Sequence, residues 1–312
     1  MANQMTMPGS IPVGPQTTPL SPDGTQPQMA QPNPLQKYFR QPKVYITLPS
    51  KGNWYPQGAI EMPDNGEIPV YAMTAKDELT FKTPDALLNG TATVDVIQSC
   101  VPAIKDAWNM PTIDLDTVLV GLRIATYGHE LDLKSKVPDT APIMDKSYTL
   151  DLRKILDKFG GITYDHVLNH NGMKITLRPQ NYTEFTKTAL KTFEEQRLFS
   201  AVNDTEISEE EKLKRFNDSF IKLTDITINT VTNSIVQIQV GDDVVVDKGH
   251  IAEFIEKADK EFYTAIVDHV QLQRAKFEMQ PIDVEATEEE VKAGAPAKYK
   301  IPVSFDQSNF FA

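Results

Sequence analysis

The sequence predicts an α+β protein, and three observations lead there. Period-two runs of apolar and polar residues mark strands within 44–73, 130–152 and 164–177. Three-to-four spacing marks helices at 114–127 and through most of 181–277. Asn-Gly pairs at 65–66 and 171–172 mark tight turns. The expected order is an N-terminal strand, hairpin and helix module, a small antiparallel sheet, a long helical hairpin and a C-terminal strand. It divides the chain into a Pro/Gln-rich arm (1–41), an α+β domain with hairpins (42–180), a helical hairpin or bundle (181–280) and an extended segment returning to the core (281–312).

The arm holds only Asp23, Lys37 and Arg40 as charged residues and few large apolar ones. It cannot bury enough surface to offset the entropy of ordering, so alone it is expected to be disordered or extended, with threading along a neighbour as the other outcome. The module follows. Val44, Ile46 and Leu48 alternate with Tyr45 and Thr47, and Pro49 and Gly52 end that strand. Trp54 and Tyr55 then sit in a loop punctuated by Gly52, Pro56 and Gly58, where large rings plug onto a core or a partner. Strands 59–62 and 67–73 are expected to pair around Pro63-Asp64-Asn65-Gly66. Thr74 caps a helix whose first turn holds Asp77 and Glu78, where the dipole favours acids.

Thr83-Pro84-Asp85 reads as the start of a short helix that Asn89-Gly90 stops, and 93–100 continues helically to Pro102. Trp108 lies in the loop leading to Asp114. The helix from there to Tyr127 turns Leu115, Val118, Leu119, Leu122 and Ala125 to one side, with Gly128 as its C-cap. Strands follow at 130–133, 147–152, 164–168 and 173–177. In 181–201 the apolar face is Tyr182, Phe185, Ala189 and Phe193; Ser208 and Glu211 open the next helix. Its far end mixes helical spacing with the strand-like alternation Val236, Ile238, Val240, and we expect helix to about 238. Gly241 breaks it. Helices resume over 250–277, with Ile251, Phe254, Ile255, Phe262, Ile266 and Val270 inward. A short helix at 288–293 and a strand at 299–305 close the chain, and Phe310 and Phe311 are expected to dock into a groove.

Composition narrows the function. Hydrophobic residues at 40% and charged residues at 24% describe a soluble globular chain, and no run of 18 apolar residues suggests membrane insertion. The N-terminus shows no secretory signal pattern. The net charge is -12, and since the arm is net +1 the part after it carries -13, which argues against nucleic acid as a partner. Cys100 is the only cysteine, which excludes an intrachain disulfide and a multi-cysteine zinc site; its helical Ser-Cys-Val-Pro setting reads as a buried structural thiol. His166 and His170 belong to a hairpin and its turn rather than to a metal-binding helix. No phosphate loop, nucleophile elbow or calcium loop occurs, and the acid pairs 77–78 and 209–210 stand at helix starts. Neither an enzyme nor a cofactor is expected.

One resemblance adds to this. Leu48-Pro49-Ser50, Gly52, Tyr55 and Gly58, then Met73-Thr74-Ala75 with Asp77-Glu78, the run 88–102, Arg123 with Tyr127-Gly128, Arg178-Pro179 and the ending FDQSNFF are similar in order to the baseplate hub proteins of T-even-type contractile phage tails. The similarity covers most of 42–312. Some members of that family carry cysteine pairs suggestive of a zinc ribbon; here the corresponding segments, 136–147 and 291–300, contain none, so hairpin packing is expected to hold those turns. The resemblance implies a virion protein, present in multiple copies in a symmetric assembly, that contacts hub, tape measure or wedge components. An assembly chaperone that leaves the particle and a tail-borne cell-wall hydrolase are the other roles it admits. Trp54, Tyr55, Tyr45, Trp108, Phe310 and Phe311 are the candidate contacts, because each offers a large ring to a partner.

Overall fold

The computed structural model describes residues 35, 38–83, 90–202 and 208–303. The chain separates into two units, Met1–Phe39 and Arg40–Ala312. In the first, the described part is a single turn in which the Tyr38 N–H donates to Leu35 O at 2.9 Å. All that follows concerns the second.

It is an α+β unit of mixed helices and small antiparallel sheets. Strand β1 (Pro42–Ile46) pairs antiparallel with β2 (Ile68–Tyr71), Ile46 opposite Ile68. This corrects the expected pairing of 59–62 with 67–73. The turn forms, with the Gly66 N–H donating to Pro63 O at 2.9 Å and Asn65 Oδ1 accepting from Glu67 N. Ile60 instead bridges to Ile104, while β1 and the residues just after it bring the buried Ile46 and Leu48 to the core.

Helix α1 (Ala75–Phe81) starts at the expected Thr74, in a reciprocal capping box with Asp77. The short helix expected after Thr83 falls on 84–89, outside the described residues. Gly90, expected to stop it, is the N-cap of α2 (Thr91–Cys100) at φ +81. Helix α3 (Leu115–Tyr127) is buried nearly all round from Thr117 to Arg123. At Gly121 a Cβ would meet Ile46 Cγ2 at 2.8 Å, so the glycine sets how closely β1 lies on α3. These elements enclose the largest core, which includes Leu48, Ile68, Ile97, Met110 and Leu122.

β3 (Glu130–Lys136) and β4 (Asp145–Asp151) form a hairpin as expected. The next helix, α4 (Arg153–Gly160), is not foreseen by the sequence reading: its N-cap Leu152 has no capping side chain, and the Gly160-Gly161 pair resembles a loop. A four-stranded antiparallel sheet follows, in the order β5 (Val167–His170), β6 (Met173–Leu177), β7 (Ile235–Val240), β8 (Asp243–Val245). Between β6 and β7 run helices α5 (Tyr182–Val202) and α6 (Glu209–Ser234). The expected continuation of helix to 238 is wrong. α6 stops at Ser234 because Ile235 and Ile238 bury more as strand residues, with Ile238 opposite Ile175, than the helix could bury there.

Gly241 at φ +60 then turns β7 into β8 instead of separating two helices. Helices α7 (Lys248–Lys257) and α8 (Lys260–Ala275) cover the sheet through Ile251, Ile255, Phe262 and Ile266, forming a second core; Phe254, expected inward, stays partly exposed. At the C-terminal side, β9 (Ile282–Glu285), α9 (Glu288–Lys292) and β10 (Lys298–Ile301) pack on the β3–β4 hairpin. Here the two cysteine-free segments meet. Ala141 N–H donates to Ala293 O at 2.9 Å, the Tyr148 and Tyr299 hydroxyls lie 2.6 Å apart, and Lys146 pairs with Glu290 at 2.7 Å.

Candidate functional site

The loop from Leu48 to Gly58 gathers several left-handed residues. Lys51, Gly52 and Trp54 all have positive φ, at 53, 81 and 67°. A left-handed tryptophan is held at a penalty of about 1–2 kcal/mol, so its surroundings must over-determine it. They do so in two ways. The Trp54 ring meets Tyr164 edge-on at 5.3 Å, in a small cluster with Ile113 and Phe277. Beneath it, the Ser50 N–H and Oγ–H donate to the Asp114 carboxylate at 2.8 and 2.5 Å, and the Tyr55 hydroxyl donates to it at 3.0 Å.

Asp114 has no water contact, and burial pushes its carboxyl up to about 6 despite these donors. The same burial, and the facing carboxylate, hold the Tyr55 phenol well above its ordinary range. Two residues on, Asp116 accepts the Met279 N–H at 3.1 Å and is also pushed up to about 6, chiefly by burial. Just before them, Thr112 N–H donates to Gln180 O at 2.8 Å and Met110 O accepts from Tyr182 N at 2.9 Å. Residues 110–116 therefore tie down the aromatic loop, the start of α5 and the segment that follows α8. Perturbed carboxylates often mark catalysis. Here the Asp114 oxygens are taken by protein donors away from solvent, which suits a clamp.

The candidate contact residues are thus not one site. Trp54 and Tyr55 turn inward onto the clamp; Trp108 leans on the largest core with its ring 5.8 Å from Tyr182. Tyr45 remains on the surface, 59% exposed, on the outer face of β1. Phe310 and Phe311 lie outside the described residues. The reading of the chain missed Asp114, whose signal was only a helix-start acid. It also missed Arg40, which reaches Ala72 O at 2.8 Å, Ser99 Oγ at 2.9 Å and Asp77 at 3.3 Å and ties the start of this unit to α1 and α2. Cys100 is buried beside Asp77, and its thiol is pushed up to about 12 by burial, so it is an inert structural thiol. His170 packs edge-on to Phe262 at 5.6 Å. Among the described residues no group of His, Cys, Asp and Glu could hold a metal ion, and no helix is long and apolar enough to cross a membrane.

The surface away from the clamp is different. Phe193 on α5 and Leu213, Phe220 and Ile221 on α6 are more than half exposed. Tyr182 and Phe185 of the face expected on α5 reach the core, whereas Ala189 and Phe193 face outward. Between the two helices lies a cleft of about 580 Å³, lined among others by Glu184, Thr188, Lys191, Lys222 and Asn229.

No curated relative and no solved structure matches the chain. A family model described as T4 bacteriophage base plate protein matches residues 55–292. That span runs from the aromatic loop through the clamp, the sheet and both long helices to α9. The chain belongs to the T4 bacteriophage base plate protein family.

Proposed function

We propose that the chain is a structural subunit of the baseplate hub of a contractile tail, joining neighbouring tail proteins through protein–protein contacts without catalysis. Family membership makes it a phage baseplate component. The observation that carries the finer reading is the set of large apolar side chains left on the surface, Tyr45, Leu79, Phe193, Leu213 and Phe220 among them, on a body whose strained loop is locked from inside. Rigid bodies with apolar surface features suit permanent contacts, and the acidic exterior limits stray association with DNA.

Mass spectrometry of purified, DNA-filled particles tests this. The chain is expected at the level of other tail subunits. Its absence from mature particles would assign it instead to hub assembly as a factor that leaves. Zymography on peptidoglycan addresses a hydrolase: no lytic band is expected, because the Asp114 carboxylate is sealed from solvent and Asp77 is bonded to Thr74.

A further inference from the structure

Helix α6 carries a seam that continues a buried face of its C-terminal end into its exposed N-terminal half. Near its C-terminal end Val231 is buried and Ile228 packs on the second core. Toward its N-terminal end the same side of the helix carries Leu213 and Phe220, both 62% exposed, with Ile221 beside them at 57%. The seam residues Leu213, Phe216, Phe220, Thr224 and Thr227 are spaced three, four, four and three apart. Steps of three and four keep them on one side of the helix, and the pattern reads the same in both directions about Phe220.

The seam can leave water easily. It holds no charge, and its two threonine hydroxyls donate back to Phe220 O and Leu223 O, each at 2.9 Å, so burying them strands no polar group. Its borders also suit a like partner. On a chain of net charge -12, the stretch 211–225 sets Lys212, Lys214, Arg215 and Lys222 against Glu211, Asp218 and Asp225. Reversing the helix about Phe220 brings Arg215 opposite Asp225 and Asp218 opposite Lys222, so opposite rather than like charges face each other.

We propose that α6 pairs antiparallel with α6 of a second copy, across a two-fold axis at Phe220. Leu213, Phe220 and Ile221 offer roughly 100 Å² of apolar surface each, so two copies cover about 600 Å². At the usual apolar share this is an interface of about 1,000 Å², the lower bound for a specific pair. The dimer is therefore concentration-dependent in solution and becomes permanent when neighbouring subunits hold the copies in place. The proposal rests on the reading of the chain as a structural subunit present in several copies.

Sedimentation velocity on the full chain tests it, with a monomer–dimer transition expected on the order of 10 µM. Phe220→Glu places two carboxylates on the axis and is expected to weaken association at least tenfold. A chain that stays monomeric to about 200 µM, or a folded Phe220→Glu variant that still dimerises, overturns the pairing. Should that variant not fold, Phe220→Cys treated with a short bismaleimide gives the answer: a covalent dimer supports the axis, and none overturns it. The buried Cys100 keeps the background low. Particles that contain the chain while it fails to dimerise sink the pairing alone; particles without it sink the structural reading.

Discussion

The first turn of α3 and the far half of the α5–α6 pair handle the same kinds of side chain in opposite ways. At α3, aromatic rings and carboxylates turn inward: Trp54 packs on Tyr164, and Asp114 takes three donors in a site closed to water. At α5–α6, polar residues face each other across a cleft, and Phe193, Leu213 and Phe220 face out. The first region is complete within one chain. The second leaves large apolar side chains on its outer surface, the arrangement expected of a surface that other protein covers.

Breaking the clamp is therefore the largest effect expected. Asp114→Ala leaves the Ser50 N–H, the Ser50 hydroxyl and the Tyr55 hydroxyl without their acceptor. Urea unfolding should show a loss of about 3–5 kcal/mol. A loss under about 1 kcal/mol would mean that the loop is not held by this carboxylate.

Next in size is the tryptophan. Trp54→Ala removes a ring from the cluster with Ile113, Tyr164 and Phe277, for about 3 kcal/mol. With Tyr55→Ala added, soluble folded protein should be lost. A double variant that folds normally but fails to enter baseplates would move this loop from the clamp to the contact surface and undo the contrast between the two regions.

The pH dependence comes third. Asp114 and Asp116 titrate near 6 in the folded chain, above the ordinary aspartate range, because burial disfavours the charged form. The folded state thus binds protons more tightly than the unfolded one. That contribution is fully present below about pH 4 and is lost as pH rises through about 6. Each group should add about 2 kcal/mol between pH 7 and pH 4.5. Asp77 and Glu184 act in the opposite sense, since their folded carboxyls lie below the ordinary range and they destabilise once protonated. Urea midpoints for the wild type and for Asp116→Asn at both pH values separate the terms; equal pH slopes would rule out Asp116 as a contributor.

How far the sequence reveals these two regions differs as much as the regions do. Local signals transfer well: the helix cap at Thr74, the short helix that begins at Glu288 and the 171–172 turn all stand where periodicity and turn chemistry put them. What fails is pairing over distance. The partner of β2 is β1 and not its sequence neighbour, and β7 becomes a strand because β6, fifty-eight residues upstream at Leu177 to Ile235, is there to receive it. Asp114 is legible only as a helix-start acid, since its three donors come from a loop some sixty residues earlier. On α5 and α6 the apolar spacing is read correctly as helical, yet spacing cannot tell whether a stripe meets its own core or another chain: Tyr182 and Val231 do the first, Phe193 and Leu213 do not.

The smallest expected effect is the sharpest test of the contrast. Phe220→Glu replaces a ring that is already mostly in water, so the folded monomer should lose no more than about 0.5 kcal/mol, with the helical circular dichroism unchanged. The same substitution placed at Leu122, wholly buried in the largest core, would prevent folding. If Phe220→Glu costs as much as a core substitution, α6 is supported by its own chain along its whole length, and the outward stripe is part of the fold. If stability holds while tails assemble poorly, the energy of those side chains is realised between subunits: the helix is kept folded by Val231 and Ile235 at its base, and Phe220 contributes only once a neighbour excludes water from it.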